Sequence, residues 1–301
     1  MINIDAEIYS EFICKADKCN HTCCRGWEID IDEDTLEYYN HLDSKLGSEI
    51  RQNIHWGDDT FFKLTTDDRC PFLKTNGLCK IIEELGEDGL CDICRFHPRF
   101  FENINDYNLA GVGLSCEKTT ELLFEKESLD FIICDSGKKI SFEELLELVE
   151  INVPQNYLSL TKVIPDYLAE AKIESILGIF YNTEPIDDNW KKELLHIKEI
   201  FKGNYKEYYK EHYKEYLNDL ETSESLKKYE VIYQYIIFRQ LELVQTYGVQ
   251  KVLEYAIKSI IFIMLYARSF GDSLEAVRRW SEQIEYNEDN IVKIIDCPKY
   301  E

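Results

Sequence analysis

Basic residues are in short supply: 34 Lys and Arg stand against 58 Asp and Glu, for a formal net charge of −24 over 301 residues. A nucleic-acid-binding chain carries a basic footprint, so this balance argues against nucleic acid as a partner. Glycine (13) and proline (6) are scarce, which excludes collagen-like and low-complexity architectures. No apolar run is long enough for a membrane span. The longest, Ile260 to Ala267, is closed by Lys258-Ser259 and Arg268, against the roughly 20 residues a span needs. The opening stretch Met1-Ile2-Asn3-Ile4-Asp5-Ala6-Glu7 has neither a basic nor an apolar segment of the secretory kind. A cytoplasmic chain with reduced thiols is therefore expected. No cysteine occurs between Cys134 and Cys297, and no Gly-x-Gly-x-x-Gly phosphate-binding turn is present.

What the chain does have is apolar mass, acidic charge and clustered thiols. Hydrophobic residues make up 45% and aromatics 13%, enough for a sizeable core without covalent staples. The charge divides evenly, −12 over residues 1–120 and −12 over the rest. It is a property of the whole surface and would attract a basic partner. Of 11 cysteines, nine lie between Cys14 and Cys116. In a reducing compartment such clustering reads as metal binding rather than as a disulfide framework.

The pattern predicts a mainly α protein. A compact Cys-rich metal-binding part, residues 1–120, made of short helices and loops, would pack on a helical bundle formed by residues 121–301. Asp67-Asp68-Arg69-Cys70-Pro71 and Thr75-Asn76-Gly77-Leu78-Cys79 read as turns. Short helices are expected over Asp34–Asn40 and Lys80–Leu85. Ser141-Phe142-Glu143-Glu144 is a capping box that opens a helix over Leu145–Ile151. Further helices are expected over about 188–202, 205–220, 225–247, Val249–Phe270 and Ser273–Ile284, with Gly248 and Gly271 at cap positions. Tyr205, Tyr209 and Tyr213 recur every four residues with Lys-Glu between them. They form one helix face, either half-buried packing or an aromatic contact surface.

The thiol spacings are Cys14-x4-Cys19-x3-Cys23-Cys24, Cys70-x8-Cys79, Cys91-x2-Cys94, and Cys116 after Gly111-Val112-Gly113-Leu114-Ser115. Thiolates select zinc or iron–sulfur clusters over hard cations. A four-cysteine zinc site presents two Cys-x2–4-Cys knuckles and would leave several thiols over. Iron–sulfur ligation accepts more varied spacing. Zinc, an iron–sulfur cluster and reactive thiols without a metal all remain open at this level, and Cys134 and Cys297 stand apart as packing residues.

The run Cys14-x4-Cys19-x3-Cys23-Cys24-Arg25-Gly26-Trp27-Glu28-Ile29 resembles the opening signature of the flagellin lysine-N-methylases. Cys70-Pro71-Phe72-Leu73, Leu78-Cys79-x-Ile81, Leu90-x3-Cys94-x3-Pro98-Arg99 and Leu114-Ser115-Cys116-Glu117 are similar to that family's later blocks. A group of smaller proteins described as zinc- or iron-chelating domains shares a subset of these cysteines. The resemblance is specific over residues 12–117. Beyond them, Tyr233-x-Tyr235-Ile236-Ile237-Phe238-Arg239 is similar to a helical aromatic-Arg patch. Two positions depart from the pattern: Cys91 stands where another small residue is usual, and His97 where Phe or Tyr precedes Pro98-Arg99.

The resemblance implies methyl transfer from S-adenosylmethionine to lysine side chains of flagellin, with an iron–sulfur cluster, a four-iron one, held by cysteine. Zinc is the alternative metal. Eight ligand positions carry over: Cys14, Cys19, Cys23, Cys24, Cys70, Cys79, Cys94 and Cys116. Arg25 and Arg99 flank cysteine motifs and are candidates to grip the cofactor's carboxylate. Trp27 is a candidate aromatic face for its sulfonium, or a core anchor. The Cys-x3-Cys-x2-Cys spacing of radical enzymes is absent, since the third position falls on Gly26. Catalytic residues are not legible. A non-enzymatic zinc- or iron-binding protein and a cluster-based redox sensor are the competing functions.

Overall fold

The computed structural model describes residues 1–167, 170–202 and 224–296. The helix expected over 205–220, with its tyrosine repeat, and Cys297 lie outside the described residues. The chain divides into two compact units: residues 13–100, and residues 1–12 together with 101–301. The Cys-rich region anticipated as residues 1–120 thus gives both of its ends, 1–12 and 101–120, to the other unit.

Among the described residues seven strands occur: β1 (Ile2–Ala6), β2 (Ile54–His55), β3 (Phe61–Phe62), β4 (Arg99–Ile104), β5 (Tyr107–Val112), β6 (Asp130–Ile133) and β7 (Lys138–Ser141). Five of them form one mixed sheet in the order β4-β5-β1-β6-β7. β1 runs parallel to β5, with Ile4 opposite Leu109, and antiparallel to β6, with Ala6 opposite Phe131. Phe131 in turn faces Ile140 on β7. Alternation sends Ile4, Ala6, Leu109, Phe131 and Ile140 into the core. The helix Glu224–Arg239 lies along this sheet: Phe238 meets Phe131 edge to face at 4.8 Å.

This sheet corrects the expectation of a mainly α chain. Its central strand is five residues at the N-terminus whose partners lie about a hundred residues away. Pairings this distant leave no local period to read. The helical expectations fared better. The capping box at Ser141 and Glu144 is formed, over the helix Phe142–Leu148. Val249–Phe270 and Ser273–Ile284 are helices, and Gly271 closes the former at φ 77°. The single helix anticipated over 225–247 breaks after Arg239 into a short 3-10 turn, Leu241–Leu243, and the helix Val244–Tyr247. No helix among the described residues is long and apolar enough to cross a membrane.

Residues 13–100 are built around a core of Ile29, Ile31, Tyr39, Leu46, Ile50, Ile54, Phe62 and Phe72, with Cys70 and Cys91 buried among them. Short helices Glu33–His41, Lys45–Gln52, Lys80–Leu85 and Asp92–Phe96 and the β2–β3 hairpin surround it. Asp32 ties two of these helices: Oδ1 accepts from Thr35 N (2.9 Å) and Oδ2 from Asp92 N (2.8 Å). One side chain thereby satisfies backbone donors at two helix starts.

Candidate functional site

Local backbone pairing gathers the thiols of residues 13–100. Cys70 N donates to the Cys24 carbonyl (2.9 Å) and Gly26 N to the Asp68 carbonyl (2.8 Å), so two sequence-distant cysteine segments run side by side. The Thr75–Gly77 turn folds the next segment back. Lys74 N donates to Leu78 O (2.9 Å) and Lys80 N to Phe72 O (2.8 Å), which returns Cys79 to the neighbourhood of Cys70. Gly77 takes φ 81° at this turn, and a Cβ there would meet Asp17 at 3.3 Å, so the Cys14–Cys19 segment packs against it. Cys94 N donates to the Cys91 carbonyl (3.0 Å) in the first turn of the helix Asp92–Phe96. Cys24, Cys70, Cys79, Cys91 and Cys94 therefore share one apolar core.

Electrostatics divide the thiols of this core, raising Cys70, Cys79 and Cys94 and lowering Cys24 and Cys91. Burial pushes the Cys70 thiol up to about 12, and Cys79 is raised for the same reason. Cys94 is raised by its hydrogen bond with Cys91 and by burial, while Cys91 is lowered by the same bond. Cys24 is drawn down to about 7, chiefly by a hydrogen bond from Cys23. None of the ten described cysteines is in a disulfide.

Among the described residues, no group of three or more His, Cys, Asp or Glu side chains is arranged to hold a metal ion. The expectation of a compact metal-binding N-terminal part is corrected accordingly. Residues 13–100 show thiols packed among apolar side chains and bonded to one another in pairs.

The remaining candidates divide. Cys14 and Cys23 are exposed and Cys19 is half-buried. Cys14 Sγ accepts from Ala16 N at 3.3 Å. Cys116 belongs to the other unit, where it precedes the helix Glu117–Glu125. Trp27 packs against the thiol core, donates to the Cys23 carbonyl at 2.7 Å and lies over His97 at 5.7 Å. Burial holds the His97 ring down to about 4, so it is neutral at physiological pH. Arg25 is exposed and near Asp67, and Arg99 is half-buried at the start of β4.

A second polar centre was not legible in the sequence, apart from the Tyr/Phe-Arg patch that contains Arg239. In the unit formed by residues 1–12 and 101–301, Arg239 Nη1 donates to Glu102 Oε1 at 2.8 Å. Glu285, after the helix Ser273–Ile284, is an electrostatic neighbour of both. Tyr235, one turn before Arg239, accepts from Val112 N (2.7 Å) and donates to Val112 O (2.8 Å). Tyr286 shares a hydrogen bond with Ser115 at 3.1 Å and senses the charge of Cys116. Burial raises Glu102 to about 8 against the pull of Arg239, and raises Glu285 as well. Glu102 alternates with Phe100 and Ile104 on the inward face of β4, a polar residue at a core register that could have signalled the centre.

No protein-family model and no solved structure matches the chain. Among curated proteins, a flagellar biosynthetic protein FliU of Salmonella muenchen is 27% identical over 144 residues, 44% of this chain and 80% of that protein. Lysine-N-methylases of Salmonella typhimurium and Salmonella choleraesuis are each 27% identical over 131 residues, 40% of this chain. The match spans about a third of their length, 32%. The chain is thus a distant relative of Salmonella proteins named lysine-N-methylase and flagellar biosynthetic protein.

Proposed function

We propose that the chain is a lysine N-methylase that moves methyl groups from S-adenosylmethionine to lysine side chains of a flagellar protein. The observation that carries this reading is the relationship to proteins named lysine-N-methylase. The acidic surface, −24 in all, supports it by suiting a lysine-presenting substrate.

The cofactor assignment is part of the proposal. Thiol donors suit an iron–sulfur cluster. Cys24, Cys70, Cys79 and Cys94, which share a core, are the residues that would hold it. Such a cluster would supply an iron able to coordinate the amino and carboxylate groups of S-adenosylmethionine. Trp27, with its indole N–H fixed to the Cys23 carbonyl, would present an apolar face beside the thiols. Arg25 and Arg99 would bind carboxylate.

Lysine attacks only as the neutral amine, so the protein must desolvate the ammonium or accept its proton. Anaerobically purified protein, flagellin and methyl-labelled S-adenosylmethionine provide the test. Label recovered in lysine of flagellin supports the reading. No label with any flagellin lysine, from protein shown to be folded and loaded with iron and sulfide, overturns it.

A further inference from the structure

Cys91 and Cys94 stand at the start of the helix Asp92–Phe96, Cys91 as its N-cap and Cys94 three residues on. The Cys91 carbonyl accepts from Cys94 N (3.0 Å) and Arg95 N (2.9 Å), and Asp32 Oδ2 holds Asp92 N at 2.8 Å from outside the turn. A turn closed in this way keeps its first and fourth Cα atoms within about 7 Å, the outer limit for a disulfide. The side chains of an N-cap and of the third helical residue converge, as those of Ser141 and Glu144 do at the capping box. Here both side chains are thiols and they are hydrogen-bonded, Cys94 S–H donating to the Cys91 sulfur, which also accepts from Cys94 N–H.

Other thiols of the same core are held differently. The Cys70 sulfur accepts from the backbone N–H groups of Phe72 and Leu73, and the Cys79 sulfur from those of Ile81 and Ile82. Cys23 and Cys24 are bonded to each other, but a disulfide between chain neighbours closes a small ring around their own peptide bond and strains it. Cys91 is fully buried and Cys94 half-buried, so a small oxidant meets Cys94 first. We propose that Cys91 and Cys94 are a reversible dithiol–disulfide couple, closed by a small hydroperoxide and reopened by a thiol reductant. The couple is independent of the methylase reading. It meets the cluster assignment at one atom: the Cys94 sulfur cannot ligate iron while bonded to Cys91, so closure belongs to the chain without a cluster.

The chemistry balances with hydrogen peroxide as the oxidant. The Cys94 sulfur attacks one peroxide oxygen and the O–O bond breaks. A sulfenic acid forms on Cys94, and the thiol proton leaves with the departing hydroxide as water. The Cys91 sulfur then attacks the Cys94 sulfur, the S–S bond forms, and the hydroxyl leaves with the Cys91 proton as a second water. Two thiols have lost one electron pair between them, and the peroxide has gained it. Reopening consumes two external thiols, which leave as their own disulfide after passing through a mixed disulfide.

The test uses the full chain, freed of metal by a chelator without oxygen, and an equimolar amount of hydrogen peroxide. Free thiols are then blocked with iodoacetamide and the chain is cut after Lys and Arg. Cys91 and Cys94 are the two cysteines of the fragment Ile81–Arg95, so their bond is read within one peptide. The expected result is that this fragment escapes blocking and is lighter than its reduced form by two hydrogens. The treated chain then titrates two fewer than its 11 thiols, and dithiothreitol restores them. Cys91→Ser should leave Cys94 as a sulfenic acid, trapped by dimedone on the same fragment. Full blocking of Ile81–Arg95 in the treated chain, or a bond formed first between other thiols such as Cys70 and Cys79, overturns the couple. So does a sulfenic acid that persists on Cys94 in the unaltered chain, because Cys91 would then be out of reach. These readouts need no flagellin, so a failed methyl-transfer assay leaves the couple in place.

Discussion

The hydroxyl of Tyr235 closes both hydrogen bonds of a single residue, accepting from Val112 N at 2.7 Å and donating to Val112 O at 2.8 Å. A helix side chain thus completes the backbone bonding at the C-terminal end of β5 and fixes the Gly113-Leu114-Ser115-Cys116 loop that follows. Tyr235→Phe leaves a buried N–H and C=O unpaired. The expected loss is about 2 kcal/mol of unfolding free energy, read as a lower urea midpoint at unchanged slope. A loss below about 0.5 kcal/mol would mean that the pair is bonded elsewhere.

Asp32 holds the starts of the helices Glu33–His41 and Asp92–Phe96 together. Asp32→Ala removes two capping bonds and is expected to cost about 2 kcal/mol. Asp32→Asn keeps one acceptor and should recover about half. Thermal unfolding of the two variants side by side checks this, and equal losses would count against the double cap.

His97 packs against Trp27 and is held neutral down to about pH 4 by burial. The unfolded chain binds a proton at the ordinary histidine value of 6.5, so stability declines as pH falls from 6.5 to 4. His97→Phe should flatten that part of the stability profile while preserving the aromatic contact. An undiminished slope in the variant would remove His97 as its source.

Glu102 titrates in the opposite sense. Its folded-state value, about 8, lies above the ordinary 4.5. The folded chain therefore holds a proton that the unfolded chain has released, and stability falls as pH rises from 4.5 to 8. Glu102→Gln should reduce the slope over that window by an amount on the order of a few kcal/mol. Denaturation at pH 5, 6.5 and 8 measures it, and parallel profiles for the two proteins would refute the shift.

The cluster proposal makes a compositional prediction. Protein reconstituted without oxygen should hold about four iron and four sulfide per chain, as a four-iron cluster requires. Cys70→Ser or Cys94→Ser should lower both together, whereas Cys134→Ser, at an exposed position outside the thiol core, should not. Iron retained in full by the Cys70 and Cys94 variants would transfer ligation to other residues.

Much of the local structure was legible. Lys80–Leu85 and the helices Val249–Phe270 and Ser273–Ile284 were readable from periodicity and caps, because a helix is held by bonds between near neighbours in sequence. The turns at 67–71 and 75–79 were legible from Asp, Pro, Asn and Gly, and they lie where backbone pairing brings Cys24, Cys70 and Cys79 together. Acidic charge, thiol clustering and the resemblance to lysine-N-methylases were likewise properties of the chain by itself.

Tertiary structure decided the rest. β1 pairs with residues 107–110 and 131–133, and such long-range register leaves no periodic trace in five residues. Cys91, read as a departure from a pattern, is fully buried beside Cys94, while Cys14 and Cys23, read as equal ligand candidates, are exposed. Spacing counts residues along the chain and does not report depth. The centre formed by Glu102, Arg239, Tyr255 and Glu285 draws on four segments, each carrying one ordinary polar residue. Only folding brings these groups into a low-dielectric interior, and that desolvation is what gives them unusual proton affinities.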